Sequence, residues 1–194
     1  ARMIATQGST SILYALDNIE AQLQDQMVDA LANLAMVTGS LGSTSGGIFP
    51  LLAGANQQGA SDLGFGPDIV PGHVAIGGTD HKELLERVWK STIPAVPGLG
   101  VIDMIDAAAS GAISAMMIVG YDDALLNGDI PNALDALAKL DFLVVQDIHP
   151  SELSALADVV LPSVPFTEDI GTMTTQDRRV QLITPAIPPR GECL

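Results

Sequence analysis

Cysteine is nearly missing from this chain of 194 residues: Cys193 stands alone, so no internal disulfide forms. An iron–sulfur cluster takes four thiolates and therefore cannot be held by this chain itself. Histidine is scarce as well. His73, His81 and His149 bring no further partner with them, which argues against a metal site. Basic residues number only 8 against 23 acidic ones, a formal charge of −15. That balance excludes a nucleic-acid binder, whose phosphate contacts need clustered Lys and Arg, and disfavours docking on an anionic membrane surface. No apolar run is long enough to span a bilayer, because the longest, residues 107–121, is broken by Ser110, Gly111 and Ser114. The opening residues Ala1-Arg2-Met3-Ile4 lead into polar Thr6-Gln7-Gly8-Ser9 rather than into the apolar centre of a secretory signal, so the expectation is a cytoplasmic protein. Ser61-Asp62 has no His at a matching spacing for a hydrolytic triad. No glycine loop of the G-x-x-x-x-G-K or G-x-G-x-x-G type follows a predicted strand.

What is plentiful is apolar surface. Hydrophobic residues make up 47% and charged ones 16%, with a mean hydropathy of +0.35, so the chain has enough to bury and is not disordered. Its character changes near residue 100. Within residues 1–100, a long helix capped by Asp17 or Asn18 carries Ile19, Leu23, Met27, Leu31 and Leu34 at spacings of four and three and stops at Gly39. From Gly39 to Gly78 eleven glycines fall in 40 residues, with Pro50, Pro67 and Pro71 among them, and neither apolar period is visible. Leu51, Leu52, Phe65, Ile69, Val70 and Ile76 make this stretch too apolar for a linker. It predicts an ordered, irregular segment whose glycines let backbone approach a ligand or make turns on a neighbouring domain. Asp80 with Glu83 reads as a capping box before Leu84, Leu85, Val88 and Trp89.

Residues 101–194 are periodic. Val101–Ser110 reads as a helix ended by Gly111, and Ile113–Val119 as a strand covered on both faces. Pro131 suits the first turn of a helix bearing Leu134, Leu137 and Leu140. Phe142–Val145 is a second buried strand, and Ser151 caps a helix bearing Leu153, Leu156 and Ala157. Val159–Leu161 is a third short strand closed by Pro162. Beyond it the chain is mostly extended, with a last strand at Val180–Ile183. Strand, helix, strand, helix, strand with short connections predicts an α/β fold: a parallel sheet with flanking helices, plus the glycine-rich segment and the long helix. Ligands bind such sheets at the carboxyl ends of the strands, which here means residues 120–123 and 146–150. Asp147, at a strand end before a helix, suits either the donor edge of a guanine or ribose, or a plain turn-capping role.

Several segments together resemble the molybdopterin oxidoreductase family, which includes the formate dehydrogenase large subunit and the G subunit of NADH-quinone oxidoreductase. Residues 54–64, GANQQGASDLG, look like its central glycine-rich motif. Residues 34–42, 140–148, 157–162 and 171–181 match further family segments in family order. If the chain is the middle part of a formate dehydrogenase alpha subunit, the resemblance implies a bis-molybdopterin guanine dinucleotide cofactor holding molybdenum or tungsten, with Gln7, Asn56, Asp62, Gly120, Gln146, Asp147 and Arg179 lining the pterin and guanosine pockets; a further alternative is a vestigial nucleotide-binding module without redox chemistry. The family's iron–sulfur clusters would lie outside this chain. Two departures matter. Pro50-Leu51 is followed by Leu52 where formate-oxidising members carry an Arg that pairs with the substrate carboxylate. The family's Gly-Glu-Asn-Pro turn is Gly120-Tyr121-Asp122-Asp123, which places negative charge beside a dinucleotide's phosphates. Both point to a branch like the G subunit of respiratory complex I, a scaffold without its own molybdenum. The implied partners are then the rest of a longer subunit and other respiratory-complex subunits, peripheral to the inner side of the cell membrane, with no catalytic residue in this chain.

Overall fold

Two parallel strands joined through a helix open the structure. In the computed structural model, which describes residues 2–6, 8–16, 19–52, 54–77, 79–120 and 130–190, a short helix α1 (Arg2–Thr6) precedes β1 (Ser11–Tyr14). Helix α2 (Ala21–Val37) then carries the chain back to β2 (Gly47–Pro50), which pairs with β1 in parallel register from Ser11↔Gly47 to Tyr14↔Pro50. The N-cap of α2 is Glu20, whose side chain makes no capping hydrogen bond. Asp17 and Asn18, the expected caps, lie outside the described residues, and Ile19 precedes the helix. The helix ends as expected. Gly39 takes φ +66°, and the Ser40 amide closes on Ala35 O at 2.8 Å.

The Ser40 hydroxyl is fully buried and accepts the Thr10 amide at 3.2 Å, tying the turn after α2 to the approach of β1. Gly46 completes this junction, since a Cβ there would lie 2.7 Å from Ser43 Oγ and 2.9 Å from Ser40 O. The stretch expected to be irregular therefore contains β2, helix α3 (Gln57–Asp62) and the two-residue strands β3 (Ile69–Val70) and β4 (Val74–Ala75), which pair antiparallel. They are too short to show a period. Turn chemistry fixes them instead: Gly64, at φ +80°, allows the backbone of Val70 and Pro71 to approach within 2.6 Å of where a Cβ would stand. Its apolar side chains are exposed in part, Leu63 at 76% and Phe65 at 82%.

Helix α4 (Thr79–Trp89) begins one residue before Asp80, so Asp80 is not its N-cap. Glu86 Oε1 accepts the amide of buried Ile93 at 2.9 Å and anchors the exit of that helix. Helix α5 (Val101–Ser110) ends at Gly111, φ +78°. Three parallel strands follow, β5 (Ala115–Val119), β6 (Phe142–Asp147) and β7 (Val159–Pro162), in the spatial order β5-β6-β7. Helix α6 (Ala133–Leu137) precedes β6, and α7 (Glu152–Leu156) links β6 to β7. Pro131 falls in a turn before α6 and Leu140 beyond its end, because Asn132 in the left-handed region (φ 58°) starts the helix later than the proline suggests. Ser151 caps α7 as expected and forms a reciprocal capping box with Ser154.

The core of this sheet is one-sided. Ile105, Ala133, Ala136, Leu137, Leu143, Val145 and Leu153 are buried together, with Met116 and Ile118 packed against them. The alternate residues face outward: Met117 is 56% exposed and Val119 64%. The expectation of a strand covered on both faces is thus corrected. Strands laid down in sequential order by crossovers of one hand receive their helices on one face only. The Asp158 carboxylate accepts the Leu143 amide at 2.7 Å and pins the start of β6.

Strands β8 (Gly171–Thr174) and β9 (Val180–Ile183) pair across a tight turn closed by Thr175 N to Arg179 O at 2.9 Å. By compactness the chain forms two units, Ala1–Ala60 with Met173–Gln181, and Ser61–Thr172 with Leu182–Leu194. The fold class is α/β with a parallel sheet flanked by helices, and no helix among the described residues is long and apolar enough to cross a membrane.

Candidate functional site

The ends of β5, β6 and β7 lie at one edge of the second unit's sheet and open onto a cleft of about 990 Å³. Its floor is set by backbone. The Gly120 amide bonds to Gln146 O at 2.9 Å, and the Ser163 amide to Asp147 O at 2.9 Å, so the residue after each outer strand is held to the end of β6. Gly120 takes φ +80°, and among the described residues nothing lies within 4 Å of where its Cβ would be. Ser151 and Glu152, at the start of α7, and Ser163 to Phe166, after β7, form the remaining walls.

Asp147 dominates this cleft chemically. It is the last residue of β6 and only 7% exposed. Its Oδ1 accepts the Ile148 amide at 2.6 Å and the His149 amide at 3.5 Å. Oδ2 is buried and has no hydrogen-bond partner among the described residues. One oxygen therefore fulfils the turn-capping role, and the other is left over. An unsatisfied buried acceptor costs roughly 1–3 kcal/mol, more for a charged group, and such a group is accounted for by a ligand or water that supplies the missing donors. A carboxylate oxygen accepts from adjacent N–H groups such as those on the Watson–Crick edge of guanine.

The other sequence-predicted residues are distributed unevenly. Gly120, Gln146 and Asp147 meet in this cleft. Asn56 belongs to the first unit, where its Oδ1 accepts the Thr174 amide at 2.9 Å. Gly59 makes room for that bond, since a Cβ there would overlap the Asn56 side chain and lie 3.2 Å from Thr174 Oγ1. Asp62 ends α3, and its carbonyl accepts the Gly72 amide at 2.8 Å. Arg179 is exposed at the β8–β9 turn, with its Nε 3.0 Å from Asp177 Oδ2. Gln7 and residues 121–123 lie outside the described residues. Sequence reasoning missed the wall from Ser163 to Phe166, although the strand-end rule that named the loops after β5 and β6 applies equally to the loop after β7. Among the described residues no group of three or more His, Cys, Asp or Glu is placed to hold a metal ion.

The profile of the family described as "Molybdopterin oxidoreductase" matches residues 10–193. The chain is 38% identical over 194 residues to the F420-dependent formate dehydrogenase subunit alpha of Methanocaldococcus jannaschii, covering 100% of this chain and 28% of that protein. It is 37% identical over 192 residues to a probable oxidoreductase, YjgC, of Bacillus subtilis, covering 99% of this chain and 20% of that one. It is 32% identical over 192 residues to the NADPH-Fe(3+) oxidoreductase subunit alpha of Geobacter sulfurreducens, with 99% and 22% covered. The chain thus spans between a fifth and just over a quarter of the length of these relatives.

Proposed function

Since the chain belongs to the molybdopterin oxidoreductase family, we propose that it is the dinucleotide-holding part of an oxidoreductase alpha subunit of the formate dehydrogenase type, and that its cleft seats the guanosine end of a molybdopterin guanine dinucleotide. The observation that carries this reading is the buried Oδ2 of Asp147 at the strand ends, which has no hydrogen-bond partner among the described residues. Asp147 would accept the base's N–H donors, and Gly120 would let the ligand come close to the backbone. The walls from Ser151 to Glu152 and from Ser163 to Phe166 would exclude water. A bound pterin cofactor of this family would supply metal-centred two-electron redox chemistry. This chain's own residues contribute binding and orientation.

Calorimetry of the chain with GDP against ADP tests the site. GDP is expected to bind, and Asp147→Asn to weaken it by more than about tenfold, because the amide places a donor against the base's donors. Equal binding of ADP and GDP, or indifference to the substitution, would remove Asp147 from this role.

A second reading is supported by Leu52. It is half-buried, and its alkyl side chain offers no charge to a substrate carboxylate at the position after Pro50-Leu51. In this reading the chain serves as scaffold in a subunit like the G subunit of NADH-quinone oxidoreductase, without its own molybdenum. Residues 1–100 would pack on the remainder of the subunit, and other respiratory-complex subunits would hold it at the inner side of the membrane. Metal analysis of the intact parent subunit separates the two. Molybdenum or tungsten near one per subunit supports the cofactor-holding reading, and absence of both supports the scaffold.

A further inference from the structure

Phe166 lines the cleft from the wall after β7 and is 73% exposed. Aromatic residues make up only 4% of the chain, but exposure alone does not single one out, since Phe65 is exposed as well. Phe166 differs in what holds it and what it stands beside. The Ser163 amide donates to Asp147 O at 2.9 Å, so its wall starts from the residue whose buried Oδ2 has no hydrogen-bond partner among the described residues. The Glu168 amide donates to Pro165 O at 2.9 Å and closes a turn around Phe166. Thr167 O accepts the Ala186 and Ile187 amides at 2.8 and 3.2 Å, and the Glu168 carboxylate accepts the Arg190 amide at 2.9 Å. The backbone beneath Phe166 is thus held before any ligand arrives, which lowers the cost of ordering it on binding.

The sheet gives the two flanks of Asp147 different character. Strand β6 is central, and β7 pairs with it as far as Asp147↔Pro162. Phe166 follows on the β7 side, whereas the β5 side ends in Gly120, which has no side chain to offer. A planar group whose donor edge meets Asp147 therefore has an aromatic surface available on one flank. A phenyl ring makes no conventional hydrogen bond; what it offers a heteroaromatic ring is stacking, which any base satisfies with its π-face. Resting on the reading of the cleft as a guanosine site, we propose that Phe166 is the stacking platform for the purine base whose edge Asp147 reads. Affinity is then divided between a face contact indifferent to the base and an edge contact suited to guanine.

The test is calorimetry with GDP on the 194-residue chain and on its Phe166→Ala, Phe166→Leu, Phe166→Trp and Asp147→Asn variants. Phe166→Ala and Phe166→Leu are each expected to weaken GDP at least about fivefold, and Phe166→Trp to keep it within about twofold, because only an aromatic ring stacks. Phe166 is exposed, so thermal midpoints are expected to stay unchanged. The single native tryptophan, Trp89, ends α4 and does not line the cleft. GDP is therefore expected to quench the added emission of Phe166→Trp in step with binding and to leave wild-type emission unaltered. A wild-type chain that takes up no GDP overturns both the guanosine reading and the platform. Binding that Asp147→Asn weakens but Phe166→Ala and Phe166→Leu leave intact keeps the guanosine reading and overturns the platform. Loss in Phe166→Ala that is absent in Phe166→Leu marks a plain apolar wall and overturns it too. Loss in both, with indifference to Asp147→Asn, supports the platform and removes Asp147 from base reading.

Discussion

Backbone conformation at single residues sets the sharpest energetic contrasts in this chain. Gly64 and Gly111 both sit at positive φ, +80° and +78°, but a Cβ at Gly64 would lie 2.6 Å from backbone atoms of Val70 and Pro71, whereas at Gly111 it would meet nothing within 4 Å among the described residues. Gly111→Ala is expected to cost about 1 kcal/mol, the left-handed penalty alone. Gly64→Ala should cost more than about 2 kcal/mol, because the β3–β4 turn must also move. Urea unfolding followed by the single tryptophan, Trp89, measures both. Arg178 gives the converse case. Its φ of 64° places a long side chain where glycine is at ease, in an exposed turn. Arg178→Gly is therefore expected to leave the thermal midpoint unchanged or raise it by about 2 °C. Glycines of this kind were partly legible. Gly39 and Gly111 follow helical periods and declare themselves as stops, but nothing in the sequence distinguishes the crowded Gly64 from the open Gly111, since the crowding comes from residues that only the turn brings near.

At the scale of elements, alternation from Val101 to Pro162 was readable because the apolar runs match their strands, although only α7 of the three helices has a side-chain cap. Ser151 illustrates this. Its hydroxyl accepts the Ser154 amide at 3.1 Å, while Ser154 Oγ accepts the Ser151 amide at 2.8 Å. Ser151→Ala should lower stability by about 1 kcal/mol, and the double variant with Ser154→Ala by less than the sum, because the two bonds form one unit. Denaturant midpoints of the two single variants and the double variant check this. What periodicity did not reveal is direction. Ile19, Leu23, Met27, Leu31 and Leu34 recur at spacings of four and three, but Leu23, Met27 and Leu34 are exposed, whereas Ala35 is buried and Val28 and Leu31 are half-buried. A spacing identifies a line on a helix without saying what lies opposite. The same limit applies to β5, whose apolar run suggested cover on both faces while its crossover topology supplies it on one. Asp147, in contrast, was legible from its place at a strand end, and only its burial and leftover oxygen needed the folded structure.

Across the whole molecule, charge is the unbalanced term. Residues 101–170 carry twelve acidic side chains and one basic one, Lys139. Lys139 Nζ donates to Ala109 O at 3.3 Å, at the carboxyl end of α5. Repulsion among the carboxylates opposes folding and is screened over about 10 Å at 0.1 M salt. Raising sodium chloride from about 0.02 to 0.2 M is expected to lift the thermal midpoint by about 2 °C, read by calorimetry; a fall would show that attraction between unlike charges outweighs this repulsion.

The hydrogen bond from the Thr174 amide to Asn56 has a consequence in time. Its partners stand 118 residues apart, yet both belong to the first unit. A ribosome adding about 5–20 residues per second emits Asn56 roughly ten seconds before Thr174. Through that interval the amino-terminal strands must wait for their hairpin, while strands β5, β6 and β7 of the other unit have all been made. Polypeptides truncated just before Met173 should therefore be cut by protease within residues 1–60 more readily than within β5, β6 and β7.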